Sequence, residues 1–123
     1  MALNELTESI ETVNKFHILR DWDTIKDKSL SEGLKLTVFR IIQEQLTNIS
    51  RHADAKKVWI SLKITGRRLS VIVKDNGNGF DLNKEMNGVG LKNIFSRAQL
   101  HKGKVTLNTA KGKGCELKIF FNL

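Results

Sequence analysis

A chain of 123 residues is long enough for one domain with a real core, and 40% hydrophobic against 28% charged residues describes an ordinary water-exposed globule. The 21 Lys+Arg against 13 Asp+Glu leave a net charge of +8, which favours an anionic partner: nucleic acid, a phosphorylated ligand or an acidic protein surface. No apolar run nears the ~18 residues of a membrane span, Cys115 is alone and excludes an intrachain disulfide, and with His17, His52 and His101 it shows no metal-ligand spacing.

The start, Met1-Ala2-Leu3-Asn4-Glu5, has neither a basic lead nor an apolar stretch, so no signal peptide is expected and a reducing cytoplasm fits the single cysteine. Residues 3 to about 15 read as a helix, with Leu3, Leu6, Ile10 and Val13 at three- and four-residue intervals. Residues of about 17–23 read as a strand, and a polar loop follows through Lys28. Ser31 and Glu32 lead into a long helix from Leu34 to about His52, with Phe39, Ile42, Leu46, Ile49 and Ala53 as the stripe a sheet would cover. Val58–Ile64 and Leu69–Lys74 are strands around Thr65-Gly66-Arg67-Arg68, a hairpin signal. A polar loop, Asp81 to Gly90, precedes a helix from Leu91 to about Leu100 that His101-Lys102-Gly103 stops. The last strands are Lys104–Asn108 and Cys115–Phe121. This order predicts an α+β fold: a two-layer sandwich, a mixed β-sheet with helices packed on one face.

Three features can carry chemistry. Strand alternation puts Asp75 on the same face as Leu69, Val71 and Val73, so its carboxylate opens onto a largely apolar floor. Such an acid needs donors, and a purine amino group is one. Gly77 and Gly79 just beyond could take positive φ or let a flat ring approach, although Asp75-Asn76-Gly77-Asn78-Gly79 also reads as a plain turn. On the long helix Glu44, Asn48 and His52 recur every four residues beside the apolar stripe. Carboxylate and carboxamide oxygens suit Mg²⁺ with phosphate, and a solvated polar face is the simpler account. Asn87-Gly88-Val89-Gly90-Leu91 opens a helix, where free amides and the dipole attract anions. No Walker loop and no dinucleotide fingerprint is present. Gly112-Lys113-Gly114 reads as a tight turn.

Taken in order, these elements resemble the ATP-binding catalytic domain of sensor histidine kinases, within the gyrase, heat-shock chaperone, histidine kinase and mismatch-repair ATPase superfamily (the Bergerat fold). Phe39 to Ala53 looks like its N box, closest to the nitrate-sensor-like kinases, Asp75–Phe80 like the first glycine box, Gly88–Leu91 like the second and Gly112–Gly114 like the third. The similarity runs from about residue 30 to the end. It implies a single ATP-binding domain over 1–123, with 1–15 a connecting helix from an upstream dimerisation and phosphoacceptor domain.

The resemblance implies that Asp75 reads the adenine amino group and that Gly77 and Gly79 make room for the base. It makes Asn48 the Mg²⁺ ligand, with Glu44 helping to hold the metal or activate the attacking group. Arg51, His52 and Lys56 would neutralise phosphates, Gly88, Val89, Gly90 and Leu91 would wrap them, and Gly114 and Cys115 would close the adenine side. ATP and Mg²⁺ are the implied cofactors, and Asp81 to Asn87 the implied lid. A threonine usually follows the last glycine of the third box; Cys115 stands there, a weaker donor.

No phosphoacceptor hairpin occurs in the chain, so it is expected to be the catalytic piece of a longer kinase. It would donate the γ-phosphoryl group to a histidine on a separate dimerisation domain, with a response regulator downstream. Contact with nucleic acid or membrane is not expected, the isolated domain is expected to be a monomer, and the location is cytoplasmic, whether or not the parent is a membrane-bound sensor. Two alternatives are a stand-alone anti-sigma-type serine kinase of the same fold and a non-catalytic basic nucleic-acid-binding module.

Overall fold

Ser31 begins the longest helix. Its carbonyl oxygen accepts the amide of Lys35 at 3.0 Å and its hydroxyl oxygen accepts that of Leu34 at 3.2 Å, so two helix-start amides are satisfied. The structure, a computed structural model, describes residues 2–13, 16–22, 30–52, 54–79, 89–109 and 112–123. Among these the elements are α1 (Ala2–Val13), β1 (His17–Asp21), α2 (Glu32–His52), β2 (Lys57–Thr65), β3 (Arg68–Asp75), α3 (Val89–Gln99), β4 (Lys104–Thr109) and β5 (Cys115–Asn122).

The strands form one mixed sheet in the order β1-β2-β3-β5-β4, with β1 and β2 parallel and every other pair antiparallel. One residue in two along the central strands is buried: Val58, Ile60 and Leu62; Leu69, Val71 and Val73; Leu117, Ile119 and Phe121. The helices cover that face, with Val38, Ile41, Ile42, Leu46 and Ile49 from α2 and Ile94 and Ala98 from α3 in the same core. The predicted two-layer α+β sandwich is therefore the observed fold. On the open face Lys74 sits 5.9 Å over the Trp59 ring and Arg68 5.1 Å over that of Phe120, placing a cation against each ring face.

Several boundaries differ from the sequence reading. The first helix ends at Val13 within the described residues, and β1 stops at Asp21, with Trp22 buried beyond it. Capping by Ser31 starts α2 at Glu32 rather than Leu34. Phe39 is only half-buried, because the covered stripe centres on Ile41, Ile42 and Gln45. Ala53 lies outside the described residues. α3 begins at Val89, two residues earlier than expected.

The stop of α3 is also instructive. The amides of Lys102 and Gly103 donate to Gln99 and Ala98 at 3.0 and 2.8 Å, and Lys102, not the glycine, takes the left-handed φ of 55°. Gly103 is needed for space: a Cβ there would come within 2.6 Å of the Phe121 ring.

α1 belongs to this packing. Leu3 is fully buried in the common core, and Glu11 accepts the Ile18 amide at 2.9 Å and pairs with the Arg20 guanidinium, while Arg20 Nε donates to Thr7 Oγ1 at 2.8 Å. Burial alone would raise the Glu11 pKa, but the Ile18 amide and the charges of Arg20 and His17 outweigh it and hold the carboxyl below its ordinary value.

Candidate functional site

Asp75 is the last residue of β3, between Val58 of β2 and Cys115 of β5. Alternation directs it to the covered face with Val71 and Val73, and it is only 2% exposed. Its Oδ1 accepts the Gly77 amide at 2.8 Å; its Oδ2 is buried and has no hydrogen-bond partner among the described residues. Burial pushes the carboxyl pKa up, and the Gly77 amide offsets part of that rise. An unpaired buried acceptor costs about 1–3 kcal/mol, which a ligand N–H donor would recover.

Backbone geometry frames this acid. Asn76 Oδ1 accepts the amides of both Lys56 and Lys57 at 2.9 Å, and the Asn76 amide returns a bond to the Lys57 carbonyl at 3.2 Å. The segment entering β2 is thereby tied to the loop leaving β3. Gly79 takes a φ of 65°, as a glycine can without strain, whereas Gly77 is not in the left-handed region. The loop before β5 lies across both: the Gly112 amide donates to the Asn78 carbonyl. Gly114, at a φ of 74°, leaves no room for a Cβ against the Asp75 carbonyl oxygen. The turn expected of Gly112-Lys113-Gly114 is thus also a packed wall of the Asp75 site.

Glu44 and Asn48 stand one turn apart on α2, both half-buried. Glu44 Oε1 accepts from Asn93 Nδ2 of α3 at 3.0 Å, so the two helices share the polar edge of the site. Asn48 Nδ2 donates to Gln45 Oε1 at 3.3 Å, and Gln45 Nε2 donates to Cys115 Sγ at 3.7 Å. Cys115 is the β5 neighbour of Asp75. A polar chain therefore runs from Asn48 through the core to the residue beside the buried acid. Burial and the Asp75 charge push the Cys115 thiol up to about 12, so it is protonated at neutral pH and inert as a nucleophile.

The remaining expected residues are scattered in character. Arg51 and Lys56 are exposed. His52 ends α2, with its side chain outside the description, and Gly88 and the expected lid lie outside the described residues altogether. Val89 and Gly90 form the first turn of α3, whose amides are the unpaired donors of a helix start. Leu91 is buried at 4% exposure and serves the core instead. No three His, Cys, Asp or Glu residues converge among the described residues, so a cation here would draw on a few hard oxygens plus ligand oxygens. Glu44 Oε2 and the Asn48 carbonyl oxygen, neither of them in a hydrogen bond among the described residues, fit Mg²⁺ held partly by phosphate.

Sequence reasoning passed over Gln45, Asn76 and Asn93. Gln45 carried a signal, a carboxamide set one turn from Ile41 and Ile49 on the apolar stripe. Asn76 was masked by its turn-forming company, and Asn93 had no local signal.

Comparison with known proteins places these features in a group. The model of the "Histidine kinase-, DNA gyrase B-, and HSP90-like ATPase" family matches residues 33–123. The sensor histidine kinase LiaS of Bacillus subtilis is 34% identical over 119 residues, covering 96% of this chain and 32% of that protein. The signal transduction histidine-protein kinase/phosphatase DegS of Brevibacillus brevis is 30% identical over 95 residues, covering 76% and 25%. The chain thus spans about a third or less of these curated relatives. The histidine kinase domain of the Erythrobacter litoralis EL346 blue-light activated histidine kinase superposes with a TM-score of 0.83 at 17% identity, over 98% of this chain and 59% of that one. The Acinetobacter baumannii histidine kinase AdeS gives 0.77 at 15% identity, over 98% and 62%. At those identities the structures establish the fold alone.

Proposed function

This chain belongs to the histidine kinase-, DNA gyrase B- and HSP90-like ATPase family, and we propose that it is the ATP-binding catalytic domain of a two-component sensor histidine kinase, donating the γ-phosphoryl group of ATP to a histidine on a separate dimerisation domain. The observation that carries the reading is the buried, half-paired carboxylate of Asp75. Its Oδ2 is a buried acceptor without a partner among the described residues, and the adenine amino group is the donor that would complete it. Guanine presents a carbonyl oxygen at that position and would meet a like acceptor instead.

The chain's own groups then act in sequence along the nucleotide. Asp75 selects the base, with Gly114 and the Gly77–Gly79 backbone shaping the slot. Amides at the start of α3 face the phosphates, and exposed Arg51 and Lys56 offer positive charge to them. Asn48 and Glu44 would hold Mg²⁺, which when bound supplies charge neutralisation on the triphosphate. Glu44, kept in place by Asn93, also orients the attacking group. Phosphoryl transfer needs positioning and charge stabilisation more than covalent chemistry. A chain lacking its acceptor should therefore hold ATP and turn it over slowly. A response regulator would stand downstream, and α1 would lead back to the upstream domain.

Calorimetric titration with a non-hydrolysable ATP analogue tests this. Binding that is strengthened by Mg²⁺ and absent for the guanine analogue is expected, with negligible phosphate release until the parent's phosphoacceptor hairpin is added. No heat from ATP or ADP at millimolar concentration, or rapid hydrolysis by the chain alone, would overturn it.

A further inference from the structure

Gln45 is fully buried on the core stripe of α2, where a carboxamide is tolerated only if both of its ends are paired. Its NH₂ group donates to Cys115 Sγ and its carbonyl oxygen accepts from Asn48 Nδ2. The direction of this chain matters. In the arrangement observed the sulfur accepts from the Gln45 NH₂ group, and the Gln45 oxygen is turned toward Asn48 Nδ2. The Asn48 carbonyl oxygen, the atom a hard cation needs, is thereby left without a partner among the described residues.

We propose that Gln45 is a positioning residue that locks the Asn48 amide with its oxygen available to the cation on the triphosphate, anchored through Cys115 beside the base-reading Asp75. This rests on the reading of the site as a Mg-ATP site, and gives Cys115 a part in it as the inner partner of the Gln45 amide. An unrestrained asparagine inside a helix has about two χ1 wells and two amide orientations, so releasing it dilutes the productive state up to about fourfold. Losing only the Cys115 anchor frees the amide orientation alone, a factor of about two.

The experiment compares nucleotide affinity with and without Mg²⁺ by calorimetry in the wild-type chain and in Gln45→Met, which keeps volume and removes both bonds. The expected result is a fall of about fourfold in the strengthening that Mg²⁺ confers, with Mg-free ADP affinity changed less than twofold. In NMR spectra of the unliganded chain, the Asn48 side-chain NH₂ pair should lose its protection from solvent exchange. Gln45→Met added to Asn48→Ala should be no worse than Asn48→Ala alone. Should Gln45→Met fail to fold, the wild type decides: an unliganded Asn48 NH₂ pair that exchanges with solvent as fast as that of an exposed asparagine overturns the proposal.

Equal losses with and without Mg²⁺ would mean general packing and overturn the proposal, as would an unchanged Mg²⁺ effect. The parent reading is judged separately, on the wild type and Asp75→Asn. If the wild type binds and Asp75→Asn binds about thirtyfold more weakly, an unchanged Gln45→Met sinks only this inference; a wild type that takes up no adenine nucleotide sinks both.

Discussion

The two ends of the site are built differently. At the end proposed to take the base, Asp75 is held by the strand ladder between Val58 and Cys115 and framed mostly by backbone, the Gly77 amide and the Gly114 turn, with the Asn76 side chain clamping the Lys56 and Lys57 amides. At the end proposed to take the phosphates, Glu44 and Asn48 are half-buried side chains, each held by one amide bond among the described residues, from Asn93 and to Gln45, with Arg51 and Lys56 exposed. Backbone placement is rigid and tolerates change only where no side chain is asked to fit. Side-chain placement is adjustable and fails gradually. On the proposed reading, the first end suits discrimination between bases and the second suits a phosphate that moves.

Gly114→Ala should show the largest effect, because it adds a Cβ against the Asp75 carbonyl at a φ of 74°. A loss of about 3 kcal/mol, or roughly 10 °C in Tm, is expected by thermal unfolding. A fully stable, nucleotide-binding Gly114→Ala would show that the base end is softer than argued. Asp75→Asn comes next: about 2 kcal/mol of binding, near thirtyfold in adenine-nucleotide affinity, lost whether or not Mg²⁺ is present. Asn48→Ala sharpens the contrast, with about tenfold lost with Mg²⁺ and little without it. A loss independent of Mg²⁺ would merge the two ends into one.

The smallest effect is a pH dependence. A folded pKa raised above the ordinary 3.8 means that native Asp75 binds more protons than the unfolded chain, so this group's contribution to stability falls as pH rises from about 3.8 through the raised value. The stability advantage of Asp75→Asn over wild type in the unliganded state should widen over that window and then level off. Glu11 runs the other way: its lowered pKa gives a contribution present above its ordinary 4.5 and lost as pH falls through the lower folded value, so Glu11→Gln should cost most at neutral pH. Denaturant titrations at a series of pH values separate the two.

Much of the base end was legible beforehand because a strand has a period of two: counting from Leu69 puts Asp75 inside, and the ladder bears that out. The hairpin and the long helix were equally plain, since turn glycines and apolar stripes are local signals. The helix stop was half legible. Gly103 marks the place, but Lys102 takes the turn conformation, and the demand for glycine comes from Phe121, distant in sequence. Cys115 read as a weakened copy of a hydroxyl. Only its partner, Gln45, 70 residues away, shows the sulfur as an acceptor.

The chain's residue order by itself determined which segments are helix and strand, that one acid turns inward, and which family's motifs occur in which order, because periodicity and turn chemistry act over a few residues. Tertiary structure alone decided that Gln45 joins Asn48 to Cys115, that Asn93 braces Glu44, and that the Gly114 turn closes over Asp75. Each of these is a contact between elements whose spacing along the chain carries no information about their distance in space.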